Sequence, residues 1–243
     1  MRTVTKNGQE FRIVEDGTWR DQWWDKVESG AWEPFTFGIM DRMLSRDTTY
    51  IDVGAWIGPT VLYASRLCRK CYALEPDPVA YKLLCDNIAA NGAQNILALR
   101  EAILDYDGVA TFGASSLSGV LGDSGTRLER PNHRFQVKCR TLESLAGAYG
   151  MPGMPSPMFI KMDIEGAEEF ALRPVEFFRG HRPTLYVSLH PDLFQDKDRA
   201  LGALREVGGV YKHRYNTSFR EVDVSLIRDG YVFTDTDVEA INP

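Results

Sequence analysis

The sequence predicts a doubly wound α/β protein built on a mostly parallel sheet. Two observations carry that prediction. Apolar runs of β character alternate with segments whose apolar residues recur at helical spacing. Three of those runs end in chemically distinctive residues: Asp52-Val53-Gly54, Leu74-Glu75 and Met162-Asp163. In an open parallel sheet the carboxyl ends of the strands are where small molecules bind.

Residues 3–14 alternate loosely around Asn7-Gly8, a hairpin signal that makes a small β appendage ahead of the main sheet. Four of the five tryptophans then fall within one short segment, Trp19, Trp23, Trp24 and Trp32. Trp19 and Trp23 share a helical face at i, i+4. Such rings either pack an extension onto the core or form one wall of a substrate site, where flat aromatic faces suit sugars and apolar rings. Residues 1–45 are accordingly read as an N-terminal hairpin and tryptophan-rich helical extension, and 46–243 as the main domain.

The run Tyr50-Ile51-Asp52-Val53 breaks at Gly54, and Gly58-Pro59 opens a helix along which Val61, Ala64 and Cys68 share a face. Gly54 admits backbone angles and approaches closed to other residues, and Pro59 suits the first helical position, where its missing N–H is no loss. Twenty-one residues beyond Gly54, Cys71-Tyr72-Ala73-Leu74 ends in Glu75, placing a carboxylate where a ribose would lie. Asp77-Pro78 supplies the cap and first turn of the next helix, which runs to Asn91 with Tyr81, Leu84 and Ile88 on one face. A strand at 95–99 leads into Arg100-Glu101-Ala102-Ile103, again at a strand's carboxyl end.

Val109–Gly113 is a short strand. The Ser- and Gly-rich stretch 114–133 is long for a connection and reads as either a substrate lid or a solvated loop. Phe135–Cys139 alternates as a strand, a helix starts at Thr141 and ends by Gly150, and Pro152, Pro155 and Pro157 form a rigid connection. The apolar strand 158–162 then delivers Asp163, and a helix is expected to begin near Gly166. Glu165 and Glu168 act either in a site or as partners of that helix's dipole. The strand Thr184–Leu189 ends in His190, a side chain able to take a proton near neutral pH. Residues 196–207 form a helix, and 210–215 with 224–227 read as a terminal antiparallel pair.

With 243 residues, 44% hydrophobic and 26% charged, the chain can bury a large core. A net charge of −6 gives no electrostatic footprint for nucleic acid or an anionic membrane. No apolar run reaches membrane-spanning length, and the first residues lack the apolar centre of a signal peptide, so the expected location is cytoplasmic. Cys68-Arg69-Lys70-Cys71 has redox or zinc-type spacing, but no second pair completes a site, and the four cysteines read as structural. The dinucleotide fingerprint G-x-G-x-x-G of a nicotinamide-dependent dehydrogenase is absent, since Gly54 is followed by Trp56 and Gly58.

In their order and wording, Asp52-Val53-Gly54-Ala55-Trp56-Ile57-Gly58, Leu74-Glu75-Pro76 and Ile160-Lys161-Met162-Asp163-Ile164-Glu165-Gly166-Ala167-Glu168 resemble the FkbM-type methyltransferases, over roughly residues 48 to 230. The resemblance implies the seven-stranded class I methyltransferase sheet, S-adenosyl-L-methionine as cofactor, and O-methylation of a hydroxyl on a sugar, glycan or natural product. On it, Asp52, Gly54 and Gly58 flank the methionine part, Glu75 holds the ribose, and Glu101 and Ala102 border the adenine. Asp163 and His190 face the transferred methyl. Removal of the acceptor's proton makes His190 the expected base, with Asp163 orienting it or hydrogen-bonding the substrate, and a metal-assisted variant with Asp163 stands second. Trp56 stands where the family often has asparagine, and Ser188-Leu189-His190 replaces an acidic-x-histidine ending. Asp163 and His190 alone would give a metal only two ligands, so none is expected. Two readings of other classes stand beside this one, a nicotinamide-dependent oxidoreductase and a non-catalytic module that binds the same cofactor.

Overall fold

A computed structural model describes residues 1–114, 127–128, 132–150, 157–225 and 229–238. Strands β1 (Arg2–Lys6) and β2 (Gln9–Ile13) form the expected hairpin. Asn7 and Gly8 both take positive φ, 44° and 77°, as a two-residue turn that follows the strand twist requires. Helices α1 (Trp19–Ser29) and α2 (Pro34–Met43) complete the extension. Thr18 caps the first by accepting from the Arg20 amide.

The main chain path continues through β3 (Thr49–Val53), α3 (Pro59–Ala64), β4 (Lys70–Leu74), α4 (Pro78–Ala90) and β5 (Ile96–Leu99). It then makes β6 (Glu101–Ile103), β7 (Gly108–Ala114), β8 (Arg127–Leu128), β9 (Asn132–Arg140) and α5 (Leu142–Ala148). The last part holds β10 (Met158–Met162), α6 (Glu168–Ala171), α7 (Val175–His181), β11 (Thr184–Ser188), α8 (Lys197–Gly208), β12 (His213–Asn216) and β13 (Gly230–Thr234). Among the described residues, no helix is long and apolar enough to cross a membrane.

Seven strands form the main sheet in the order β12-β13-β11-β10-β3-β4-β5. Pairing is parallel from β11 through β5, and β13 runs antiparallel to both neighbours. This is the doubly wound α/β sheet the sequence predicts. Alternate residues of each central strand go to opposite faces. Tyr50, Ala73 and Phe159 join one core with α3, α4 and the extension, whereas Ile51, Val53, Ile160 and Leu185 join another with α5, α7 and α8. Val4, Phe11, Trp24 and Phe37 of the extension are fully buried in the first of these cores. At ~25 cal/mol per Å² of apolar surface, side chains of this size contribute about 1.5–3 kcal/mol each.

Several sequence-based expectations change. The chain leaves the main sheet after Leu99, and β6 pairs parallel with β9 in a four-stranded second sheet ordered β6-β9-β7-β8. The terminal antiparallel pair is β12 with β13 at 230–234; of the expected partner at 224–227, Val224 lies in a turn and packs under α8 and 226–227 lie outside the described residues, while Gly230 approaches the Val187 carbonyl too closely for a side chain. Helix α7 is an element that the sequence, which carries no strong periodic signal there, does not predict. The helix expected near Gly166 starts at Glu168, because Gly166 takes φ 98° in a turn against the Leu193 backbone. The stretch read as a lid or loop, 114–133, and the proline-rich connection lie largely outside the described residues, though Arg127–Leu128 pairs with β7.

Candidate active site

The carboxyl ends of β3, β4 and β10 meet at a cavity of about 290 Å³. The tips of β3 and β10 touch there through backbone. Gly54 has φ 87°, and a Cβ on it would stand 1.9 Å from the Asp163 carbonyl oxygen. Only glycine admits both the angle and that approach. The Gly54 and Ala55 amides donate to the Leu74 carbonyl at 3.0 and 2.9 Å, which joins the turn to β4.

Glu75 follows immediately on β4, is 6% exposed and faces the cavity. It accepts from the Trp56 and Asp77 amides, each at 2.8 Å. A carboxylate has about four acceptor sites, so two backbone bonds leave capacity for a ligand's hydroxyls. Burial, aided by Asp77 and Asp52, pushes its pKa up to about 8. The helix cap is Asp77, which accepts from Val79 and Ala80. Beside Glu75, Leu74, Ala102, Ile103 and Phe112 make an apolar slot. Glu101 borders it as expected, but its carboxylate is held by Arg140 at 2.6 Å and Lys138 at 3.2 Å.

Two predicted contact residues stand behind the wall instead of on it. Asp52 is fully buried, accepting from Thr60 Oγ1 at 2.6 Å and facing Lys161 Nζ at 3.5 Å. Gly58, at φ 100°, makes room for Leu84 of α4. Both shape the turn and neither lines the cavity.

The opposite wall holds the charged groups. Lys161 is 2% exposed and lies 3.4 Å from Asp163 Oδ2. Burial opposes its charge, but Asp163, Asp52 and Glu33 outweigh that and raise its pKa, so it is an ammonium. The sequence reading passed it over. Its signal was a lysine inside a buried strand, in register with Asp52 on the adjacent strand, where a charge must be paired. His190 Nε2 lies 3.7 Å from Asp163 Oδ1 and 3.9 Å from Glu165 Oε1, and Nδ1 lies 3.7 Å from Glu168 Oε1. Burial alone would depress this imidazole, but the carboxylates of Glu168, Asp163 and Glu165 overcome it and push its pKa up to about 9. These carboxylates favour the imidazolium form of His190 at neutral pH.

Glu168, fully buried, accepts from the Ile164 and Gly166 amides at 2.8 Å each and so ties down the loop carrying Asp163 and Glu165. Glu165, at φ 56°, turns to the cavity. Donor atoms of Asp163, Glu165 and His190 lie within 4.8 Å of one another, one ligand more than the sequence suggested. Lys161 Nζ, 3.4 Å from Asp163 Oδ2, already supplies one positive charge to this group. No ion is assigned to them.

The extension closes the remaining side. Trp19, Trp23 and Trp32 line the cavity, and Trp23 packs edge-on to Trp56 at 4.5 Å and to Trp32 at 4.7 Å. Trp19 lies nearly parallel to Trp56 at 6.2 Å and remains 53% exposed at the rim. Trp56 takes φ 48°, a left-handed angle at which asparagine is the commoner non-glycine residue. Glu33, at the start of α2, also reaches the cavity. Nothing in its sequence neighbourhood linked it to residues more than a hundred positions away.

A search of curated proteins finds no match to this chain. Among solved structures, a methyltransferase FkbM from Methylobacillus flagellatus KT is 17% identical with a TM-score of 0.44, covering 78% of this chain and 44% of its own. This chain thus spans less than half the length of that protein. An rRNA methylase from Streptococcus thermophilus is 11% identical (TM-score 0.44, 80% and 89% covered), and a putative methyltransferase from Escherichia coli is 12% identical (TM-score 0.44, 96% and 95% covered). Residues 52–233 match the methyltransferase FkbM domain, a span running from the buried aspartate behind the glycine turn to the antiparallel last strand. On that match the chain belongs to the FkbM methyltransferase family.

Proposed function

We propose that the protein transfers a methyl group from S-adenosyl-L-methionine to a hydroxyl of a sugar, glycan or natural product. The observation that supports this most is the convergence, around one cavity, of the Gly54 turn, the buried Glu75 carboxylate and the Asp163–His190 pair. The residues fit the cofactor. Glu75 retains acceptor sites for two ribose hydroxyls, the slot of Leu74, Ala102, Ile103 and Phe112 suits a flat base, and the close-packed Gly54 turn suits the methionine part. When bound, the cofactor supplies an electrophilic methyl on a positively charged sulfur, and the cavity's carboxylates favour that charge. Family membership sets aside the nicotinamide-dependent alternative.

The chain's own contribution is orientation. Asp163 accepts a hydrogen bond from the attacking hydroxyl and points its lone pair along the line of transfer, while the His190 imidazolium and Lys161 hold that carboxylate from either side. The indoles of Trp19 and Trp32 offer flat faces to a sugar ring. The acidic balance favours a small-molecule or glycan acceptor over nucleic acid, and a cytoplasmic setting goes with the same reading.

Calorimetry with S-adenosylhomocysteine and a methyl-release assay on methyl glycosides test this. Micromolar binding with product formation is expected, and His190→Ala, which frees Asp163 from one of the two cations that hold it, should lower turnover by about 10²-fold while leaving cofactor affinity nearly unchanged. Binding without transfer to any acceptor would make the protein a non-catalytic module. No binding at millimolar cofactor would remove the proposal altogether.

A further inference from the structure

Glu33 lies outside the span that matches the family domain, on the connection between α1 and α2. It adopts a left-handed backbone, φ 40° and ψ 56°, at the N-cap of α2, and its side chain does not cap that helix. A non-glycine residue in that region costs about 1–2 kcal/mol, and such strain collects where a side chain must be aimed. Here the aim is into the cavity shared with Asp163, Lys161 and His190.

A relay fixes the carboxylate. Thr36 Oγ1 donates to Glu33 Oε2 at 2.7 Å and lies 3.0 Å from the Tyr186 hydroxyl, whose strand, β11, neighbours the one bearing Asp163. The groups facing Glu33 are Asp163 and Lys161 from β10 and Tyr186 from β11. Burial, then the charge of Asp163, push the Glu33 carboxyl up to about 7, against the opposing influence of Lys161 and Thr36. Of the other titratable groups lining the cavity, His190 holds its proton at that pH and Glu75, on the β4 side, is raised to about 8.

We propose that Glu33, supplied by the N-terminal extension, is the catalytic base that takes the acceptor's hydroxyl proton. The inference rests on the methyl-transfer reading above. The acceptor oxygen gains the methyl carbon as that carbon's bond to sulfur breaks; the electron pair stays on sulfur, and the hydroxyl proton passes to the Glu33 carboxylate. Asp163 orients the hydroxyl and Glu33 removes its proton, so the base role expected of His190 passes to a carboxyl from the extension. It also follows that the extension is part of the catalytic unit.

The test compares wild type, Glu33→Gln and Thr36→Val, using methyl glycosides as acceptor probes and S-adenosylhomocysteine calorimetry in parallel. Glu33→Gln is expected to lower kcat by about 10²-fold or more, keep the S-adenosylhomocysteine Kd within about twofold, and abolish the acid limb of kcat/KM near pH 7. Thr36→Val, which removes a hydrogen bond that stabilises the ionised carboxyl, is expected to move that limb to higher pH. Wild-type turnover in Glu33→Gln, or a tenfold loss of S-adenosylhomocysteine affinity with kcat retained, would overturn the inference; the second result would make Glu33 a cofactor contact. A Thr36→Val profile identical to wild type would also overturn it. Absence of wild-type transfer would overturn the parent reading, a result distinct from an unaffected Glu33→Gln.

Discussion

Replacing Gly54 by alanine tests the contact on which the whole site is built. The new methyl would start 1.9 Å from the Asp163 carbonyl oxygen, where real contacts stay beyond 3.0 Å, so the two strand tips must part by more than an ångström. That movement stretches the hydrogen bond from the Asp163 amide to the Val53 carbonyl, now 3.0 Å, whose loss is worth about 1 kcal/mol. The positive φ of 87° adds about 1–2 kcal/mol for alanine, and forcing an extra methyl into a packed region adds about 1–3 kcal/mol. A destabilisation on the order of 3–6 kcal/mol is expected by urea unfolding, together with a loss of S-adenosylhomocysteine affinity of at least 100-fold. Gly92→Ala is the control: it has φ 56° but nothing within 4 Å of a new Cβ, so it should lose only the backbone penalty of about 1–2 kcal/mol. If the two variants are equally stable and Gly54→Ala binds S-adenosylhomocysteine like wild type, the account of the strand tips is wrong.

Lys161→Met leaves Asp52 and Asp163 without their shared cation, and should destabilise by about 3–5 kcal/mol at pH 8. The loss should shrink as the pH is lowered, because burial already raises the Asp52 carboxyl and so favours its neutral form; a loss that stays the same as the pH falls would refute the pairing. Thermal stability should fall steadily from about pH 5 to pH 9. His190 binds its proton more tightly in the folded state, so its contribution is complete below its ordinary value of 6.5 and disappears as pH rises through about 9. Glu75 and Glu33, raised to about 8 and about 7, act in the same direction from their ordinary value of 4.5 upward, because the unfolded chain ionises first. A Tm that is flat or rises across that window, followed by circular dichroism, would contradict the three assignments. Trp19→Ala removes a rim indole that is 53% exposed, so it should lower stability by no more than about 1.5 kcal/mol. Its effect should appear as an acceptor KM raised several-fold, and a change confined to cofactor affinity would remove Trp19 from the acceptor wall.

The fold was legible because the strands announce themselves twice, in composition and in how they end. Central parallel strands are buried on both faces, so Tyr50–Val53 and Phe159–Met162 read as apolar runs, and β-strand periodicity then sends alternate residues to two cores. Helix boundaries followed wherever a local signal existed: Asp77-Pro78 and Thr141 start helices as their chemistry demands. Where no local signal existed the expectation slipped. The final strand was placed at 224–227, since the apolar Val224 gave no warning that it would pack beneath α8 while Tyr231–Phe233 completed the sheet. Glu101 to Ile103 looked like the end of a main-sheet strand, and pairing with β9 moved it to a second sheet.

What the sequence determined by itself was the set of strand tips and the residues on them: Gly54, Glu75, Asp163 and His190 are each fixed by position relative to an apolar run, which is a local property of the chain. What only the tertiary structure decided was which groups share space and in what protonation state. His190 is a cation because three carboxylates from another strand and loop surround it, and Lys161 is tolerated in the core because Asp52 sits beside it in register. Asp52 and Gly58, adjacent in sequence to the cavity turn, face away from it, and Glu33 faces into the cavity toward Asp163 and Lys161, more than a hundred residues further along the chain. Electrostatic energies depend on distances through space and on burial, and neither quantity is written in the order of residues along a chain.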